Sequence, residues 1–209
     1  NDTATTEIYT LSYTLSLHDA LPIFNEMICC GWRGATFGKR IAVDDKTGQA
    51  VALVDAEEKI QGKGFGSGHG AKHLFTLKTR DAAHPIMQGL PAEWLHANDE
   101  LYGRMRGSAD HMHVLSSSFS KPEFGGTDMH EPMVWYAPFG KGRVVTTSMG
   151  HIMAADTSHE ALHCVGFQTI LARSTEWAAT EKVTLAVPEG FPTLDKTSVI
   201  EPAKVNWKK

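Results

Sequence analysis

Two adjacent carboxylates, Asp99 and Glu100 in the run DELY, are the first residues whose placement suits proton chemistry. Neighbouring side chains on an extended or looped segment point in different directions, so one can face a cleft while the other caps or solubilises. Glu100 is the candidate general base or metal ligand; a capping acid in a salt bridge is its alternative. Tyr102 would set its hydroxyl at the edge of the same cleft. His151, in Met149-Gly150-His151, closes an expected strand, and ligands gather at strand ends in α/β sheets. Glu100 and His151 are therefore the expected acid/base pair, with Asp99 and Tyr102 beside them in ligand binding.

A second set of groups suits binding. His69, in GSGHG, has no bulky neighbour and could reach a ligand, although a flexible connection explains the glycines as well. His130 and Glu131 precede Pro132, which restrains Glu131 to extended geometry and would present both side chains rigidly. Arg143, in GKGRV, suits bidentate hydrogen bonding to a sugar or sugar acid; a hairpin turn with flanking bases is the favoured reading. Trp94, Trp135 and Trp177 could stack on a sugar ring, although core packing explains Trp135 and Trp177 as well. Ten of the 11 histidines lie between His69 and His163, a density that suits a polar cleft. His69, Glu100, His130 and His151 are suitable metal-ligand types, but their spacing forms no recognised signature, so no metal is assigned. No cofactor is indicated.

These side chains need elements to hold them. HLFTLK (73–78), HVLSSS (113–118), PMVWYA (132–137) and VVTTS (144–148) read as strands, and 40–54 as two β runs around an Asp-Lys-Thr-Gly turn. Gly62 to Gly70 is a glycine-rich loop that fits neither phosphate-binding pattern. HPIMQGLP (84–91) is a helical turn between prolines. A short helix is expected over 24–32 and one long helix over 158–179, where Leu162, Val165, Ile170 and Trp177 supply an apolar face. From Pro188 the chain turns Pro-containing and polar, an extended tail or the start of a linker.

Residues 1–23 resemble something else. NDTATTEIY and TLSLHDALPI are similar to a synthetic sequencing-library adapter translated in one continuous frame, with Thr10 to Tyr13 where an index would fall. This segment has no basic residue and no unbroken apolar core, so it does not suit a signal peptide. The expected domain therefore spans 24–187, N-terminally truncated, with 188–209 as tail or linker. Removing Asp2, Glu7 and Asp19 brings the net charge from −4 to −1. A near-neutral chain has no general pull on nucleic acid or anionic membrane, and no apolar run is long enough for a spanning helix. Three cysteines without a C-x-x-C spacing suggest neither a disulfide framework nor a zinc ribbon. The compartment is left open.

HPIMQGLP (84–91), DELY (99–102), HEPMVW (130–135), GKGRV (140–144), MGH (149–151) and EWAAT (176–180) resemble, in order, the trehalose-utilisation (ThuA-like) family. The resemblance implies an α/β fold: a flavodoxin-like three-layer sandwich with a mainly parallel sheet, similar to class I glutamine amidotransferases. It implies a role in carbohydrate utilisation, binding or transforming trehalose, a related disaccharide or an oxidised derivative. The expected partner is thus a small-molecule carbohydrate, with fusion to further domains compatible with the tail. A non-catalytic sugar- or protein-binding module of a larger polypeptide is the alternative. A glutamine amidotransferase is disfavoured, because Cys29, Cys30 and Cys164 lack the glycine-flanked strand-to-helix setting of its nucleophile.

Overall fold

Strands buried on both faces form the middle of this molecule. The computed structural model describes residues 17–54, 66–152 and 158–200; residues 1–16 of the adapter-like run and the chain beyond 200 lie outside them. The strands are β1 (Cys30–Gly31), β2 (Lys39–Val43), β3 (Ala50–Ala52), β4 (Gly68–His69), β5 (His73–Thr79), β6 (Glu93–Asp99), β7 (Tyr102–Gly103), β8 (Arg106–Gly107), β9 (His113–Phe119), β10 (His130–Phe139) and β11 (Gly142–Thr147). Helix α1 covers Leu17–Ile28, α2 is the single turn Glu160–His163, and α3 is Val165–Thr180. Nine strands form one sheet in the order β1-β8-β2-β10-β9-β5-β6, with β11 beside β10 and β3 beside β2; β4 and β7 form a separate pair.

Among the described residues every strand pairing is antiparallel. This overturns the expected flavodoxin-like, glutamine amidotransferase-like sandwich with its mainly parallel sheet. The physical reason lies in the connections. Parallel neighbours need a crossover of a dozen or more residues, usually helical, whereas β10 and β11 join through the tight Gly140-Lys141 turn and β2 and β3 through the Asp44–Gln49 turn. Among the described residues α3 is the single long helix after β11, and none lies between consecutive strands of the main sheet. No described helix is long and apolar enough to cross a membrane.

Adjacent residues face opposite sides of the sheet, which therefore has two cores. Val134 and Leu115 join Leu77, Trp94, Met133, Phe167, Ile170 and Trp177 on the α3 side. Trp135 and Val114 turn the other way, to Cys29, Cys30, Ile41, Met105 and Met112. Helix α3 approaches β6 closely at Gly166, where a Cβ would meet the Trp94 ring at 2.2 Å. The expected helix over 158–179 is broken at Cys164, whose backbone is extended (φ −63°, ψ 120°) and bridges to Val199. Residues 188–200 run alongside: Leu95 N–H donates to Thr193 O, Val165 N–H to Ser198 O and Ile200 N–H to His163 O. The end of β6 and the start of α3 are thus held next to each other.

Candidate functional site

Glu100 follows the last residue of β6, and its carboxylate is almost fully buried, with 2% of the residue exposed. Two imidazoles face the same oxygen. His151 Nδ1 lies 2.5 Å from Glu100 Oε2, and His69 Nε2 lies 3.4 Å from it. These contacts are close but badly angled: neither Glu100 Oε2 nor His151 Nδ1 has a partner of hydrogen-bond geometry among the described residues. Buried polar atoms without such partners are costly and uncommon, so the close approach of the two imidazoles is what compensates this carboxylate. His69 Nδ1 is 2.7 Å from the Gly70 carbonyl oxygen. A carbonyl can only accept, so Nδ1 carries a proton, and the other ring nitrogen, Nε2, faces Glu100.

Aromatic rings wall this carboxylate. Tyr102 on β7 stacks with His69 on β4 at a centroid distance of 5.8 Å, and it lies 5.6 Å from the His151 ring. Pairing of β4 with β7 sets His69 opposite Tyr102. Burial, with the nearby charges of Glu100 and Asp99, pushes the Tyr102 phenol up to about 12, so it keeps its proton as a donor. Trp32, just after β1, meets Tyr102 edge-on at 4.9 Å and His69 at 5.9 Å while remaining 48% exposed. Trp32 is the member of this group that the sequence does not single out. Its exposure is the useful signal, because Trp94 (0%), Trp135 (1%) and Trp177 (9%) are buried in the two cores and cannot stack on a ligand.

Asp99 does not face the cleft. It is fully buried behind it, and each oxygen is occupied: Oδ1 by the Glu100 N–H at 2.7 Å, Oδ2 by the Gly150 N–H at 2.8 Å and by His96 Nε2 at 3.0 Å. The position of His151 depends on its neighbour Gly150, whose φ of +88° suits glycine and whose missing Cβ leaves room for the Phe167 ring, otherwise 2.7 Å away.

The other expected ligand residues lie elsewhere. Glu131 is completely buried, pairing with Arg40 at 2.7 Å and accepting from Thr127 Oγ1 at 2.7 Å. Burial raises the Glu131 carboxyl, against the opposing pull of Arg40. His130 faces Asp45 at 3.2 Å and Ser117 Oγ at 3.2 Å. Burial, then Arg80, lowers its pKa, and Asp45 is already held by Lys78 and Arg80, so we read His130 as neutral despite that contact. Arg143 lies over the Trp177 ring and pairs with Glu181 at 2.8 Å. The four-residue metal set is therefore split: His69, Glu100 and His151 converge and His130 does not.

A cavity of about 520 Å³ lies apart from this cluster, lined by residues that include Glu26, Cys29, Asp110 and His111. Burial, then Asp110, raises the Cys29 thiol, so the cysteine there is not poised as a thiolate. Cys30 and Cys164 are buried as well. What the Glu100 cluster can do is accept or donate protons at one carboxylate and two imidazoles, beside an exposed indole.

A family model described as "Trehalose utilisation" (ThuA) matches residues 35–178. Among solved structures, a ThuA-like protein from Parabacteroides merdae ATCC 43184 is similar, at 35% identity and a TM-score of 0.74. The match covers 86% of this chain and 62% of that one, so this chain spans less than two thirds of that relative's length. No curated protein matches.

Proposed function

The chain belongs to the trehalose-utilisation family, and on that footing we propose that it binds trehalose, a related disaccharide or an oxidised derivative at the Glu100 cluster. The observation that carries this is a buried carboxylate flanked by two imidazoles, with the half-exposed Trp32 ring packed on the same His69. Sugars present both things such a site takes: hydroxyls that donate to a carboxylate, and a face of C–H groups that packs on an aromatic ring. Tyr102 supplies a phenol that keeps its proton, and His69 an imidazole held by Gly70.

Glu100 and His151 are the acid/base pair for any proton transfer on that sugar. Direct glycoside hydrolysis normally uses two carboxylates flanking the bond. Asp99, the nearest second carboxylate, has both oxygens engaged, so the cluster supports one-carboxylate proton transfer.

Calorimetric titration with trehalose and with its keto derivative tests the proposal. A hydrogen bond to a charged group is worth about 1.5–3 kcal/mol, so Glu100→Gln should weaken binding roughly 10- to 100-fold. Equal affinity of wild type and E100Q would defeat the assignment. Binding without turnover would favour the non-catalytic module instead.

A further inference from the structure

Behind the site lies a buried polar group that no ligand can reach. His96, Asp99 and Cys164 are each 0% exposed, from β6 and from the residue that opens α3. Buried charge is expensive unless paired, so this group needs an explanation. Its hydrogen bonds supply one. A single carboxylate, that of Asp99, accepts the backbone N–H of Glu100 on one oxygen and the backbone N–H of Gly150 on the other. Those two amides belong to the segments that carry Glu100 and His151, which approach each other from positions 51 residues apart. His96 Nε2 donates to the Oδ2 that holds Gly150.

We propose that the His96–Asp99 pair is a positioning unit that fixes the Glu100 carboxylate against the His151 ring. This inference rests on the proposed role of those two residues. Without His96, the Asp99 carboxylate would lose its one side-chain donor among the described residues, leaving two backbone amides alone to hold it in place. The Gly150 turn, left-handed and packed on Phe167, is tied to β6 through that carboxylate.

The surroundings of His96 agree with a permanent donor. Burial pulls its imidazole down, but the Asp99 carboxylate, with Cys164, raises it to about 9. From α3 it is faced by Cys164, whose thiol is opposed by burial yet lowered by His96 and by the N–H groups of Phe167 and Ala97. From β5 it is faced by the Phe75 ring at 5.0 Å, and on its own strand by Trp94 at 6.2 Å. His96 Nδ1 closes no hydrogen bond of good geometry, so its well-formed bond is the one to Asp99.

The test compares His96→Leu, which removes the donor, with His96→Gln, whose amide nitrogen can occupy the place of Nε2. Amide hydrogen exchange at Glu100 and Gly150 reports the ties directly and needs no sugar. H96L should speed exchange at both amides at least tenfold while strand β10 stays protected, and H96Q should restore protection. Trehalose affinity should follow the same order. Unchanged exchange at both amides in H96L, or an increase spread evenly over the sheet, would overturn the proposal. Asp99→Asn provides the same comparison if H96L does not fold. A wild type that binds no sugar would sink the sugar proposal and leave the exchange data to decide the positioning.

Discussion

Trp32 keeps about half of its surface in solvent although its ring already touches Tyr102 and His69. An indole so placed is one face short of a full set of contacts. Stacking of this kind is worth about 0.5–1.5 kcal/mol beyond area burial, so Trp32→Ala should weaken trehalose binding roughly 3- to 10-fold without lowering the melting temperature by more than a degree or two. Paired titrations and thermal scans would measure both, and unchanged affinity would remove Trp32 from the site. At this scale the sequence was partly legible. Glu100, Tyr102, His69 and His151 could be named from residue type and local context, and the fold brings them together. Asp99 and Glu131 could not be told from cleft residues, because a carboxylate's partners come from distant strands: Gly150 for one, Arg40 for the other. Trp32 gave no signal, since exposure is a tertiary property.

Strand β6, which delivers Glu100, shows why elements were harder to read. EWLHAND lacks a run of β-branched residues, and its buried positions include His96 and Asp99, polar side chains that satisfy each other. Period-two reading depends on apolar residues marking the buried face, and here a polar pair marks part of it. Strands 113–119 and 130–139, marked by the apolar pairs Val114-Leu115 and Val134-Trp135, were legible within a few residues. The β2–β3 turn offers a test at this scale. Asp45 pairs with Lys78 of β5 and with Arg80 just after it, and those hydrogen bonds hold its carboxyl well below the usual range. A depressed carboxylate stabilises the fold above its unfolded value of 3.8, and that contribution is lost as pH falls below it. His130, lowered from 6.5, adds a separate loss that begins at higher pH. Asp45→Ala should remove the first and, by deleting the one contact that raises His130, deepen the second. Melting temperature followed from pH 7 to pH 3 should therefore fall less steeply below pH 4 in D45A than in wild type; parallel curves would contradict the ion pairs.

For the whole molecule, family membership was legible where strand direction was not. Six short motifs in order survive any error about how the strands pair, because they are read as residues. Sheet direction depends on connections, and the expectation of a parallel sheet came from the family resemblance instead of the hairpin turns in this chain. The antiparallel sheet explains the site's layout: β4 and β7 pair outside it, the end of β6 feeds Glu100 towards them, and the turn after β11 returns with His151. Contacts between a bound sugar and named rings test that convergence. Intermolecular nuclear Overhauser effects would be measured between trehalose C–H protons and the aromatic protons of Trp32, Tyr102, His69 and His151. The account predicts cross-peaks to Trp32 and to the His151 ring, abolished by a competing unlabelled sugar. Cross-peaks confined to residues around the separate 520 Å³ cavity, such as Phe139 and His111, would place the ligand elsewhere and contradict it.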